Sequence, residues 1–211
     1  MDVLPIELVI AISSSHPIAF ARMIKADRRV YQYVCAPAGR NLFLLTCVEK
    51  RIMDKNILTY SLITGKLHSF FDMPAVIYPD GKQEWHQYDK RHRDDGPALT
   101  YPNGEQQWYR YDKLHRVDGP AFIYADGDQQ WYQYGELHRT DGPAVIYADG
   151  YQTWHYRDNL HRIDGPAITY SDGEQHWYDH GEIHRDDGPA ITYSDGTTEW
   201  WIYGVKQAPI I

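Results

Sequence analysis

The chain has 211 residues, with 21 Lys and Arg against 29 Asp and Glu, for a formal charge of −8. Residues 1–71 hold 9 basic and 5 acidic side chains, so residues 72–211 hold the remaining 12 basic and 24 acidic ones; that second balance repels phosphate backbones and predicts no nucleic-acid groove. Cys35 and Cys47 fit no metal-ligand spacing and are too few for a disulfide framework, which points to a reducing compartment.

The N-terminal stretch VLPIELVIAI is apolar, and Ala19-Phe20-Ala21 has the spacing of a cleavage site. Asp2 and Glu7, however, stand where a signal peptide needs Lys or Arg. No stretch reaches the ~18 apolar residues that span a bilayer. The expectation is a soluble intracellular protein. Leu4-Pro5 suits a first helical turn, and Leu4, Leu8 and Ile12 recur at helical spacing. A second helix is predicted from Pro17, with His16-Pro17 marking the break. Residues 1–39 thus read as a small helical segment. The pattern L-P-x-E-L-x-x-x-I, followed by a second short helix and an aromatic-rich end, resembles the F-box. That motif is a helical bundle that docks on the Skp-type adaptor of cullin–RING ubiquitin ligases. The resemblance implies that Leu4, Pro5, Glu7, Leu8 and Ile12 line an adaptor contact. The residues by themselves suit a second role equally well, that of capping the sheet that follows.

Residues 40–71 read as a linker and a degenerate capping repeat, since Gly65-Lys66-Leu67-His68 echoes Gly135-Glu136-Leu137-His138. Residues 72–211 read as a six-unit array with a C-terminal cap. Asp72, Asp95, Asp118, Asp141, Asp164 and Asp187 are each 23 residues apart, and so are Trp85, Trp108, Trp131, Trp154, Trp177 and Trp200. The unit begins D-G-P-A, continues through Y-x-D-G to a Trp, and closes on L-H-R. It is rich in Tyr, Trp, Ile, Val and Thr and punctuated by Gly and Pro, the pattern of strands and tight turns. The predicted fold is mainly β, an elongated antiparallel β-hairpin repeat sheet of six 23-residue units with a small N-terminal α-helical segment. Pro209 blunts the far end.

Asp126-Gly127 predicts a two-residue type I′ turn. Asp158-Asn159, Gly135-Glu136 and Gly181-Glu182 predict further two-residue turns after the Trp strand. With Asp126-Gly127 as the loop, Phe122 faces Trp131, and Phe122, Tyr124, Gln129 and Trp131 share one face. That uniform face is the expected core. Ala and β-branched residues are expected opposite, beside a variable row for reading a partner: His86, Tyr109, Tyr132, His155, Tyr178 and Trp201.

The 23-residue hairpin unit resembles the MORN repeat, in the DGPAxxYxDG variant abundant in giant DNA viruses of amoebae (marseillevirus-like). W-Y-x-Y and D-G-P replace the usual Y-x-G-x-W core, and with the acidic balance this predicts no membrane role.

Equivalent histidines of successive units, such as His115, His138 and His161, would stand roughly 9–10 Å apart in a regular sheet, too far to share a zinc ion. Each Arg two residues before an Asp-Gly (Arg116, Arg139, Arg162) suits a repeated Arg–Asp contact. No nucleophile–base pair or phosphate loop stands apart from the repeat. The expectations are therefore no enzyme activity, no cofactor and no metal. The leading functional expectation is a viral F-box-like adaptor that presents a target bound on the repeat sheet to a host cullin–RING ligase. The alternative is a self-associating homo-oligomeric scaffold or virion component. The expected location is the host cytoplasm or the virion.

Overall fold

The computed structural model describes residues 48–61, 65–70 and 72–208. The F-box-like segment, with Leu4, Pro5, Glu7, Leu8 and Ile12, lies outside the described residues, as does Pro209. The described residues are all β, with no helix. Contacts divide the chain into two compact units, residues 1–102 and 103–211.

Short antiparallel strands form a main ladder within each unit. In the first unit, the six-residue strands Val48–Met53 and Asn56–Ser61 form a hairpin around Asp54-Lys55, both left-handed. The second of these pairs with Val76–Ile77, which pairs in turn with Gln83–Glu84, and that with Leu99–Thr100. In the second unit the ladder repeats two short strands per 23 residues. Val145–Ile146 pairs with Gln152–Thr153, which pairs with Ile168–Thr169 of the following repeat.

Each repeat holds a second hairpin that is not in the main ladder. His155–Tyr156 pairs with Asn159–Leu160 as a separate two-stranded sheet, and Tyr132–Gln133 pairs likewise with Glu136–Leu137. The sequence reading expected all twelve repeat strands in one sheet. The Trp is where the chain leaves it. The Trp131 N–H donates to the Ala144 carbonyl in the main ladder (2.8 Å), while its carbonyl accepts from His138 N–H in the second hairpin (3.0 Å).

Both turns were expected to have two residues, and only the second one does. Phe122 lies opposite Gln130 and Ile123 opposite Gln129, and Tyr124 N–H donates to the Asp128 carbonyl at 2.9 Å. The loop therefore has three residues, Ala125-Asp126-Gly127, and only Gly127 is left-handed (φ 100°), the geometry of a turn followed by a bulge. The type I′ turns belong to the second hairpin instead, at Tyr134-Gly135, Arg157-Asp158, His180-Gly181 and Tyr203-Gly204, where φ is positive at both residues. This is one residue earlier than predicted.

A one-residue change of register moves side chains to the other face. Phe122 stacks on Tyr124 (3.9 Å between centroids), and Tyr124 and Tyr132 both donate to Gln130 Oε1. The expected core face therefore dissolves: Tyr132, not Trp131, shares this side. The most buried positions are Ala75, Ala98, Ala121, Ala144, Ala167 and Ala190, all at 0 % exposure. Val76, Leu99, Val145, Ile168 and Ile191 follow five of them and are also buried, so the chain is covered on both sides where it enters these strands, while the second residue of each strand is half-buried.

Candidate interaction surface

The repeated letters D-G-P-A form one local structure. In the second unit the Arg139 guanidinium lies 4.1 Å over the Trp131 ring. Its Nε donates to Asp141 Oδ1 (2.9 Å) and a terminal nitrogen to the Pro143 carbonyl (3.2 Å). On its other side is Gly142, where an added Cβ would sit 2.7 Å from the guanidinium carbon. Arg116, Arg162 and Arg185 repeat this stack over Trp108, Trp154 and Trp177, with Asp118, Asp164 and Asp187 as partners. Hydrogen bonds from the arginines hold the carboxyls of Asp118, Asp141, Asp164 and Asp187 below the usual carboxylate range. In the first unit Arg93 instead takes both oxygens of Asp72 at 2.7 Å, a bidentate pair. The second Asp-Gly of each repeat has a different task. Asp126 and Asp149 accept from the backbone N–H two residues on, closing the three-residue loop.

The histidines hold one repeat to the next. Tyr134 N–H donates to His115 Nδ1, Arg157 N–H to His138 Nδ1, His180 N–H to His161 Nδ1 and Tyr203 N–H to His184 Nδ1, all at 3.3–3.4 Å. The side chain at the tip of the turn covers the same ring, as in His115–Tyr134 (4.3 Å) and His184–Tyr203 (3.9 Å). Tyr and Arg are uncommon at positive φ; here the left-handed residue points its N–H at the imidazole of the preceding repeat. Beside it, Gly135, Asp158, Gly181 and Gly204 donate to the carbonyls of Leu114, Leu137, Leu160 and Ile183. The same scheme reaches back to residues 59–69. Thr59 donates to Ala75 as a Trp does elsewhere, His68 N–H donates to the Thr59 carbonyl, and Asp89 N–H to that of Leu67.

Five of the six residues expected to read a partner meet the side chain two positions earlier on their own face. Tyr109 donates to Gln107 and Tyr132 to Gln130, and Trp201 donates to Glu199. His86 meets Glu84 at 2.9 Å, and His155 meets Thr153 at 3.0 Å. His86 is buried, while Tyr109, Tyr132, His155, Tyr178 and Trp201 are half-buried. Burial acts to raise the Glu84 carboxyl, but hydrogen bonds from His86, Lys82 and Tyr78 outweigh it and lower it to about 2.

No protein-family model matches the chain, and no curated protein matches it. The exposed variety lies elsewhere than on those six residues. Val117 and Ile163 are 80 % and 89 % exposed, at the position between Arg and Asp-Gly. The turn tips Tyr88, Tyr111, Tyr134 and Tyr203 are also exposed. Ile163 lies on an open groove of about 950 Å³ together with Trp154, Tyr156, Arg162 and His180. Sequence reasoning missed these positions because it sought the partner-reading row within the strands. The available signal was variation in a loop position that is polar in other repeats: Asp94, Thr140 and Asp186. Among the described residues, no helix is long and apolar enough to cross a membrane.

Proposed function

We propose that the protein is a non-enzymatic interaction module of MORN-like repeats, with an F-box-like segment that recruits a Skp-type adaptor while the repeats hold a protein target. The observation that carries this reading is the contrast between invariant and variable positions. Arg, Asp, Trp and His recur at fixed positions and are engaged in holding repeats together, whereas apolar and aromatic side chains differ from repeat to repeat at exposed positions. Exposed apolar groups rimmed by polar ones suit protein contacts. The LPIELV stretch supplies the adaptor side of the proposal.

The test is a pull-down from amoebal lysate with wild type, Leu8→Asp and Ile163→Asp. Wild type should retrieve a Skp-type adaptor, and Leu8→Asp should lose it while retaining the target. Ile163→Asp should do the reverse. Failure of the wild type to retrieve any Skp-type adaptor would overturn the ligase reading.

A further inference from the structure

In one place the repeat breaks its own rule. The imidazole of each repeat is met by the turn tip of the next, and at that tip stand Gln133-Tyr134, Tyr156-Arg157 and Ile202-Tyr203. Opposite His161, however, stand Asp179 and His180. Asp179 Oδ1 lies 2.9 Å from His161 Nδ1 and 2.6 Å from His180 Nδ1. The two imidazoles are 4.1 Å apart, and one ligand atom from each of the three residues falls within 4.8 Å of the others. Unlike the equivalent histidines along the array, these are non-equivalent residues converging once.

The protons of this cluster conflict. His161 Nδ1 must be bare to accept from His180 N–H (3.3 Å), as in the other repeats, yet must carry a proton to meet the Asp179 carboxylate. A bare nitrogen at 2.9 Å from a carboxylate oxygen is repulsive; a metal ion held by both removes that repulsion, and because it takes the nitrogen's one lone pair it releases the His180 N–H as the cluster opens. Two imidazoles and one carboxylate form a donor set of intermediate softness, suited to zinc-class ions and not to magnesium or calcium. Zinc–nitrogen bonds of ~2.0–2.1 Å place tetrahedral donors about 3.3 Å apart, so the cluster has to open slightly. His180 stands exposed at the turn tip, where its side chain can swing outward once its contact with Asp179 is exchanged for the metal. Both His161 and His180 line the open groove, which leaves room for a fourth ligand from solvent or from a bound partner.

We infer that His161, Asp179 and His180 form a binding site for a divalent transition metal of the zinc class. This inference is independent of the adaptor reading. The test is calorimetric titration of tag-free full-length protein with Zn²⁺. Asp179→Gln and His180→Tyr place there the residues found at the same positions in another repeat, Gln133 and Tyr134, so both should fold. His176→Gln, matching Gln130, is the control. Wild type and the control should take up roughly one equivalent, and each of the other two variants should lose about tenfold or more in affinity. A wild type that takes up no zinc stoichiometrically would overturn the site. So would Asp179→Gln and His180→Tyr proteins that bind as well as wild type.

Discussion

At the scale of the residue, the conserved phase of the repeat is explained by one side chain, the arginine between Trp and Gly. Gly142 has an ordinary backbone, so its requirement is spatial and not conformational. Gly142→Ala should push the Arg139 guanidinium off Trp131 and cost about 1–2 kcal/mol, the size of a partly buried cation–π contact with its hydrogen bonds. In an Arg139→Ala background the same substitution should cost almost nothing. Urea unfolding of the four proteins of this cycle measures the coupling, and an unchanged cost would exclude the arginine as the cause. The alanines give a second prediction. Ala144 is fully buried between covered faces, so Ala144→Leu should destabilise by ~1–3 kcal/mol through overpacking. Trp131 belongs to the face expected to form the core and Tyr132 to the opposite one, yet both are half-buried, so Trp131→Ala and Tyr132→Ala should have similar costs in urea unfolding.

At the scale of the element, the second hairpin is held together against the preference of its own residues. Arg157 has φ 50°, which costs an L residue with a branched or long side chain roughly 1 kcal/mol. Arg157→Asn keeps the N–H donated to His138 and tolerates this conformation, so it should raise stability by about 0.5–1 kcal/mol in thermal melts. Three of the histidines also predict a pH profile. Burial lowers the pKa of His68, His115 and His155, and Arg110 lowers that of His115 further. Their unfolded forms therefore bind protons more readily than their folded forms. The stability this gives is fully present above the ordinary histidine value of about 6.5 and is lost as pH falls below it. Charging His115 also removes the acceptor for Tyr134 N–H. A second loss should follow between the ordinary glutamate value of about 4.3 and the folded value of about 2, as Glu84 is protonated. Urea midpoints measured from pH 8 to pH 3 should show a plateau and then two declines. A midpoint that rises on acidification from pH 7 to pH 5 would contradict the assignment.

At the scale of the repeat array, the described repeats of the second unit are joined neighbour to neighbour through the same few groups. Deleting residues 118–140 would join Val117 to Asp141 and rebuild an Arg116-Val117-Asp141-Gly142 junction like the one removed. The shortened chain should fold with a cooperative melt at a lower midpoint, as nearest-neighbour arrays do. An unfolded product by circular dichroism would mean that the contacts are not nearest-neighbour.

The sequence alone determined the period, the β class, the turn positions to within a residue, and the pairing of Arg with Asp, because spacing and residue type are local properties of the chain. Register was not legible from it. Asp126-Gly127 fits a two-residue turn and a three-residue bulged loop equally well in composition, and only the pairing of Phe122 with Gln130 selects the second. That one-residue difference decided which side chains share a face, so it moved the core from the Trp–Tyr face to the alanine column. The same holds for His161, Asp179 and His180. Their approach depends on how one repeat's turn docks on its neighbour's histidine, a contact between residues 19 apart that spacing along the chain does not reveal.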